Sequence, residues 1–146
     1  GVDFAGGYWE DLCIHDCEIN SSCNGVRMIM PSDGVEMRDC HIYGPGAYPH
    51  RTSGEARRNN TLFGVCLEPG AWGAAPGTAR NIRLHDLLFE NLSAPVSTSV
   101  REGSAADDLT LERITATGMK GNLTPVVSWN DQGFTTITVR DFTLSR

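Results

Sequence analysis

The sequence has little positive charge and no long apolar run, and each absence excludes a broad class of partner. Its 146 residues include 12 Lys and Arg against 18 Asp and Glu, which gives a formal net charge of −6. This acidic balance excludes a strongly basic surface, so we expect no nucleic-acid partner. No apolar run approaches the roughly 20 residues that span a bilayer, so we expect no membrane partner.

Helical periodicity is also missing, because no segment repeats its apolar residues at the spacing of an amphipathic helix. The sequence opens on Gly1 rather than on Met. We therefore expect it to be a processed or excised piece of a longer protein.

What the sequence does have is one phrase of alternating apolar residues that recurs five times. The copies occupy residues 11–19, 34–42, 81–89, 108–116 and 136–144. Their starting points lie 23, 47, 27 and 28 residues apart. Periods of about 20 to 50 residues are typical of solenoids and arrays, so the repeat predicts the architecture.

Within each copy, two residues interrupt the alternation between the second and third apolar positions. The interruption contains an Asp in four copies: Asp16, Asp39, Asp86 and Asp141. Because an Asp side chain bonds nearby backbone and favours bends, we predict a strand, a bend and a second strand in each copy.

A third strand is predicted between the copies, beginning near Gly25, Gly64, Pro95 and Pro125. Three strands per turn indicate an all-β fold, a right-handed parallel β-helix of about five coils, as one domain over residues 1–146. Leucine-rich repeats need a Leu/Asn consensus that is absent, and a propeller blade would be longer.

The alternation also predicts which side chains form the core. Two successive copies should place aligned side chains inside the fold: Leu12, Ile14, Cys17 and Ile19 against Val35, Met37, Cys40 and Ile42. Cys17 and Cys40 would then be neighbours, either as free thiols or as a disulfide. The Cys13, His15, Cys17 and Cys23 set does not converge in this arrangement, so we expect no metal site.

Four segments in order carry a resemblance to a known family, and the order of the first, third and fourth is the most telling. They are residues 23–29 (CNGVRMI), 35–40 (VEMRDC), 64–73 (GVCLEPGAWG) and 81–96 (NIRLHDLLFENLSAPV). Together they resemble the C-terminal half of the polygalacturonases, glycoside hydrolase family twenty-eight, which has the pectin-lyase-like β-helix fold. The resemblance covers nearly the whole chain.

The resemblance implies hydrolysis of glycosidic bonds in a pectin-like or other polysaccharide, by an inverting mechanism with two carboxylates. It implies an oligo- or polysaccharide partner, a secreted or periplasmic, cell-wall-directed protein, and no cofactor. Val2 and Phe4 align with Val26 and Met28, so the family's Asp pair would fall just before Gly1. We therefore expect no catalytic residue within this chain and no hydrolysis by this piece alone.

Two departures from the family pattern bear on the substrate. The family's Gly-His-Gly falls on Cys23-Asn24-Gly25, and its Arg-Ile-Lys falls on Cys66-Leu67-Glu68. Because Glu68 would repel a galacturonate carboxylate, we expect a neutral sugar such as rhamnose, galactose, xylose or arabinose.

Six residues are candidates for contact with the saccharide: Asn24, Arg27, Glu68, Trp72, His50 and Arg51. Alternation places eight residues on one outward face: Arg27, Ile29, Cys66, Glu68, Ser97, Ser99, Val127 and Trp129. For Arg27 and Glu68 a simple surface ion pair is the alternative, Trp129 is a weaker candidate than Trp72 for stacking on a sugar, and His85 is expected at the surface. Trp72 either stacks on a sugar ring or anchors its Gly-rich loop. His50 and Arg51 belong to a long insertion, residues 44–61, which either binds ligand or is only a solvated loop.

Two alternative functions remain possible, and the sequence also predicts an oligomer. The chain is alternatively a non-catalytic carbohydrate-binding or adhesin-type β-helix, such as a tailspike segment, or a polysaccharide lyase. A lyase would need Ca²⁺-binding carboxylates on the groove, and the outward positions lack an Asp cluster. Because an interrupted solenoid exposes strand edges, we also predict a homo-oligomer through the open N-terminal coil.

Overall fold

The computed structural model describes residues 1–49, 63–129 and 133–146, and within these ranges the chain forms strands without a helix. The strands belong to two sheets that the chain visits in alternation. The five-stranded sheet, here the small sheet, contains β1 (Val2–Phe4), β4 (Val26–Met28), β6 (Phe63–Leu67), β8 (Ala94–Thr98) and β10 (Val126–Ser128).

The six-stranded sheet, here the large sheet, has longer strands. It contains β2 (Trp9–His15), β3 (Glu18–Asn20), β5 (Ser32–Tyr43), β7 (Thr78–Glu90), β9 (Ala105–Thr117) and β11 (Ile137–Leu144). Neighbouring strands are parallel in both sheets. Each sheet is stacked in chain order, so β1 and β2 lie at one end and β10 and β11 at the other.

The predicted β-helix with three strands per coil is wrong. The described strands form two parallel sheets, ordered β1-β4-β6-β8-β10 and β2-β5-β7-β9-β11, with no closed solenoid. The two strands predicted within each copy of the phrase belong to one sheet. In three of the five copies they form one strand of 12 or 13 residues.

The interrupting residue explains why the long strands do not split. Asp39 and Asp86 have φ angles of 52° each, in the left-handed region that Asp tolerates better than most residues. Strand pairing continues on both sides of them, from Arg38 with His85 to Cys40 with Leu87. The predicted bend is therefore a single left-handed residue inside a paired strand, comparable with a β-bulge.

The core was predicted well from the alternation. Val35, Met37, Cys40 and Ile42 are all buried in one continuous apolar cluster. In the first copy Ile14 and Ile19 are also buried and Leu12 packs against the cluster from its margin. The expectation was wrong for Cys17, which is exposed because β2 and β3 lie at the end of the sheet and have β5 on one side only.

Two glycines allow neighbouring repeats to approach closely beside the small sheet. A Cβ on Gly64 would lie 2.3 Å from Cε1 of Phe89, and one on Gly25 would lie 2.5 Å from the carbonyl oxygen of Gly64. Any larger residue at these positions would collide with buried neighbours. This close packing fixes the start of β4, and with it the residues on either side of Gly25.

Candidate functional site

Strand pairing sets one row of side chains across the outer face of the small sheet. Asp3 pairs with Arg27, Arg27 with Cys66, Cys66 with Ser97, and Ser97 with Val127. Alternate residues of these strands, such as Val26 and Met28, enter the core instead. The predicted register is therefore confirmed, but the predicted exposure is wrong for Cys66 and Ser97 in the middle of the row, which are buried.

A cavity of about 500 Å³ opens at the Asp3–Arg27 end of this row. Its lining is mainly polar and combines the first strand, the turn before β4 and the start of the insertion. The lining includes Asp3, Asn20, Ser21, Ser22, Asn24, Arg27, Tyr48 and Pro49. Two residues predicted from sequence, Asn24 and Arg27, therefore belong to one concave site.

Arg27 is the centre of the charged part of the cavity. Its Nε and Nη2 donate to the two carboxylate oxygens of Asp3, at 3.1 and 2.6 Å. This two-bond geometry is the strongest form of arginine–carboxylate pairing, and it raises the pKa of Arg27, which the negative charge of Glu68 raises further. The predicted alternative of a surface ion pair therefore applies to Arg27 with Asp3, and Asp3 was missed.

Trp72 contacts the same guanidinium group from above. The Cζ atom of Arg27 lies 5.5 Å from the centre of the Trp72 ring, within the range of a cation–π contact. The indole is nevertheless 75% exposed. Trp72 therefore presents most of its surface to solvent beside the cavity, which favours the ligand-binding interpretation over loop anchoring.

The turn that carries Trp72 is held by backbone hydrogen bonds rather than by the indole. Trp72 itself has a φ of 54°, and Gly70 N donates to the carbonyl oxygen of Ile29 at 3.0 Å. Arg101 N donates to the carbonyl oxygen of Pro69 at 3.1 Å. Neighbouring repeats thus fix the turn, so the ring is displayed at a defined position before any ligand arrives.

The opposite wall is built by Asn20 and Ser22. Asn20 Nδ2 donates to the carbonyl oxygens of Tyr43 and Pro45 at 3.2 and 2.8 Å, and its Oδ1 accepts from Ala47 N at 2.6 Å. Ser22 Oγ donates to the carbonyl oxygen of Tyr48. These contacts hold the first residues of the 44–61 insertion against the turn before β4, and they position the exposed ring of Tyr48 at the rim.

Asn24 provides an acceptor without a partner. Its Oδ1 atom is buried and, among the described residues, no donor reaches it. A buried polar atom without a hydrogen bond costs free energy, so a donor that reached Asn24 Oδ1 would be favoured. Because the atom has almost no exposed surface, a ligand hydroxyl reaches it only if the Asn24 side chain turns toward the cavity.

The other sequence-predicted residues have mixed outcomes. Glu68 is half-buried, and its negative charge raises the pKa of Arg27, but neither Glu68 nor Trp72 lines the cavity itself. Cys66, expected to face outward, is only 1% exposed. Ser97 Oγ donates to its sulfur at 3.2 Å, and burial raises the pKa of the Cys66 thiol to about 12. His50 and Arg51 lie outside the described residues, as does most of the insertion.

Trp129 extends the aromatic surface toward the far end of the small sheet. Its ring is exposed and meets Phe63 edge to face, with 5.8 Å between ring centres. Trp129 follows β10, at the end of the small sheet opposite to the cavity. Its smaller role in stacking on a sugar stays a prediction.

Comparison with known proteins identifies no relative of this chain. No family model, curated protein or solved structure matches the chain. The resemblance to polygalacturonases therefore stays a prediction based on four sequence segments. Among the described residues, no group of three or more His, Cys, Asp or Glu side chains is arranged to hold a metal ion, and none of the described segments is a helix that could cross a membrane.

A second cluster of charged side chains covers the outer face of the large sheet. His85 was expected at the surface, but it is only 7% exposed and lies between two carboxylates. Its Nδ1 is 2.6 Å from Asp86 Oδ2, and its Nε2 is 3.1 Å from Glu36 Oε2. Arg113 completes the cluster by donating to both oxygens of Asp86, at 2.8 and 2.9 Å.

The side chains of this cluster form hydrogen bonds with one another, so we assign the cluster a structural role. Hydrogen bonds from Arg113, followed by that from His85, lower the pKa of Asp86. A hydrogen bond from His85 likewise lowers the pKa of Glu36. The sequence signal for the cluster was the repeated His/Arg-Asp interruption, but which copies would pair could not be inferred from it.

The low pKa of Asp86 predicts a loss of stability in acid. A carboxylate with a lower pKa in the folded than in the unfolded chain stabilises the fold above the unfolded pKa, about 4, and loses that effect as the pH falls toward the folded pKa. We expect Asp86→Asn to lower the midpoint of thermal unfolding at neutral pH. Below about pH 4, the midpoint of this variant should decrease less with falling pH than that of the unchanged protein.

Asp141→Asn is the matched control for this experiment. Asp141 occupies the same repeat position with a φ of 49°, and no ion pair reaches it from the described residues. Asn tolerates the left-handed conformation at both positions. Identical melting profiles for the two variants between pH 2 and 7 would contradict the assigned role of Asp86.

Proposed function

We propose that this chain binds a neutral oligo- or polysaccharide at the cavity beside Arg27, as the saccharide-binding part of a carbohydrate-active, glycoside-hydrolysing protein. The observation that carries the proposal is that Asn24 and Arg27 line one concavity and that the exposed Trp72 ring lies against the Arg27 guanidinium at its edge. Binding sites of this kind join a few directed polar groups to aromatic surface.

The chemistry of the cavity fits sugar hydroxyl groups. Each hydroxyl can donate to an acceptor such as Asn24 Oδ1 and accept from a donor such as Arg27. The apolar faces of sugar rings can pack on the exposed rings of Trp72 and Tyr48. A saccharide uses both kinds of contact, whereas a purely apolar ligand would leave the polar groups unsatisfied.

The charge of the site favours a neutral sugar over a uronic acid. Asp3 already occupies two donors of Arg27, and Glu68 adds a further negative charge nearby. A second carboxylate on the ligand would have to compete with Asp3 for the same guanidinium group. Neutral rhamnose, galactose, xylose or arabinose units avoid this competition.

A non-catalytic binding protein, of the adhesin or tailspike type, is the second candidate. The described lining of the cavity contains one carboxylate, Asp3, and both of its oxygens accept hydrogen bonds from Arg27. Inverting hydrolysis needs two carboxylates about 6.5 to 9.5 Å apart, one of them able to give up a proton. In the hydrolase interpretation, that pair would lie outside these 146 residues.

A panel of neutral and acidic oligosaccharides, titrated by calorimetry, tests the proposal. We expect a neutral oligosaccharide to bind, galacturonate oligomers to bind more weakly, and Trp72→Ala to reduce affinity by about tenfold or more, since one good contact contributes on the order of 1.4 kcal/mol. Tyr8→Ala is the control, because Tyr8 is an exposed aromatic that, unlike Trp72, makes no cation–π contact with the cavity residue Arg27 in the described part of the chain.

Release of reducing ends from the bound polysaccharide, measured in parallel, separates the two candidates. Release by a chain extended upstream of Gly1 supports hydrolysis, whereas binding without release by such a chain supports the non-catalytic role. Absence of binding to every neutral saccharide in the panel would refute both. The predictions of secretion or periplasmic location and of a homo-oligomer through the first repeat stay predictions.

A further inference from the structure

Cys17 and Cys40 occupy equivalent positions on neighbouring strands of the large sheet. The pairs His15 with Arg38 and Glu18 with His41 are in register on either side of them. The backbone N–H of His41 also donates to the carbonyl oxygen of Cys17 at 2.9 Å. Neighbouring parallel strands lie about 4.8 Å apart, and disulfides span Cα distances of about 4.4 to 6.8 Å.

The two thiols also have the same orientation. Cys17 Sγ donates to the carbonyl oxygen of His15 at 3.2 Å, and Cys40 Sγ donates to that of Arg38 at 3.1 Å. Each sulfur therefore turns back toward the residue two positions before its own. Both thiols are free in this structure, with Cys17 exposed and Cys40 buried. Burial and the neighbouring Cys17 raise the pKa of the Cys40 thiol.

We propose that Cys17 and Cys40 are a cross-linking site, at which a low-molecular-weight disulfide oxidant such as glutathione disulfide converts the two thiols into a disulfide between the first two repeats. The exposed thiol reacts first. Cys17 loses its proton and attacks one sulfur of glutathione disulfide, which releases one glutathione thiolate and leaves a mixed disulfide.

The buried partner completes the exchange. Cys40 loses its proton and attacks the sulfur of Cys17, and the second glutathione leaves as a thiolate. Two protein thiols are oxidised and one glutathione disulfide is reduced to two glutathione molecules, so atoms and electrons balance. Because burial raises the pKa of the Cys40 thiol, this second step should accelerate as the pH rises.

The cross-link would reinforce the end of the large sheet. β2 and β3 pair with β5 on one side, and none of the described strands pairs with them on the other. A link from Cys17 to Cys40 lowers the conformational entropy of the unfolded chain, and this stabilises the folded protein. We expect the oxidised protein to melt about 5 to 10 °C higher than the reduced protein.

Peptide mapping of the oxidised full chain tests the proposal. Trypsin cleaves after Arg27, Arg38 and Arg51, so the predicted link joins peptide 1–27 to peptide 39–51, whose one cysteine is Cys40. We expect this linked pair without reductant, its loss on reduction, and three remaining thiols in the intact oxidised protein.

Single variants identify the partner of Cys40 within peptide 1–27. Cys17→Ser should abolish both the linked pair and the rise in melting temperature, whereas Cys13→Ser and Cys23→Ser should retain them. Cys17 is exposed, so its replacement leaves the core intact. Five free thiols after oxidation, glutathione remaining on Cys17, or a linked pair that survives Cys17→Ser would each overturn the proposal.

Discussion

Leu84→Ala is expected to lower the free energy of unfolding by about 3 to 4 kcal/mol, the largest effect on stability that we predict for one substitution. Leu84 lies at the centre of the core with no exposed surface. It pairs with Met37 on one side and with Leu111 on the other, and both are equally buried. Because strands enclose Leu84 from both directions, the surroundings cannot collapse far into the space that the side chain leaves.

Urea unfolding followed by circular dichroism measures this effect. Leu123→Ala is the matched control, since Leu123 is 47% exposed and outside the buried cluster. The control should change stability by less than about 1 kcal/mol. A loss below about 1 kcal/mol for Leu84→Ala would mean that the two sheets do not enclose a continuous core.

Arg27→Leu is expected to reduce affinity for a neutral oligosaccharide by about 10- to 100-fold, the largest effect on binding that we predict. A hydrogen bond to a charged group contributes about 1.5 to 3 kcal/mol, and each 1.4 kcal/mol changes affinity tenfold. The substitution removes the donors that face the cavity and the cation beneath Trp72. It also releases Asp3 from its two hydrogen bonds.

Two further variants separate these consequences. Asp3→Asn with Arg27→Leu avoids an unpaired carboxylate, and it should bind as weakly as the single variant. Arg83→Leu removes an arginine from the outer face of the large sheet, where it pairs with Glu112 at 3.5 Å, and it should bind normally. Calorimetric titrations that give equal affinities for Arg27→Leu and Arg83→Leu would place the saccharide elsewhere.

The register of the repeats could be inferred from the sequence, because one-residue slips would expose the whole apolar face. The alignment of Val2 and Phe4 with Val26 and Met28 is confirmed by the strand pairing. That same alignment places Asp3 beside Arg27, so the cavity carboxylate that we missed could have been predicted from the repeat. The number of strands in each repeat could not be predicted, because a left-handed Asp fits equally well between two strands and inside one.

Burial on the outer faces was harder to predict than burial in the core. Alternation determines the side of the sheet, but exposure depends on neighbours that the alternation does not identify. His85 is buried within a cluster of side chains from β5, β7 and β9. Cys66 is also buried, although it lies on the outer side of the small sheet. Asn24 and Arg27 were found because they flank Gly25 in a short recognisable segment. Their joint cavity depends on Asn20 and Ser22, whose hydrogen bonds no pattern specified.

The central claim, that a neutral saccharide binds beside Trp72, is tested most directly by fluorescence of single-tryptophan variants. Trp9→Phe with Trp129→Phe leaves Trp72 as the one indole, and Trp72→Phe with Trp129→Phe leaves Trp9 as the control. Trp9 packs on Phe4 and donates to the carbonyl oxygen of Gly6, outside the cavity. We predict that a neutral oligosaccharide shifts and saturates the Trp72 emission and leaves the Trp9 emission unchanged. An unchanged Trp72 emission at saturating saccharide, or a change confined to Trp9, would contradict the claim.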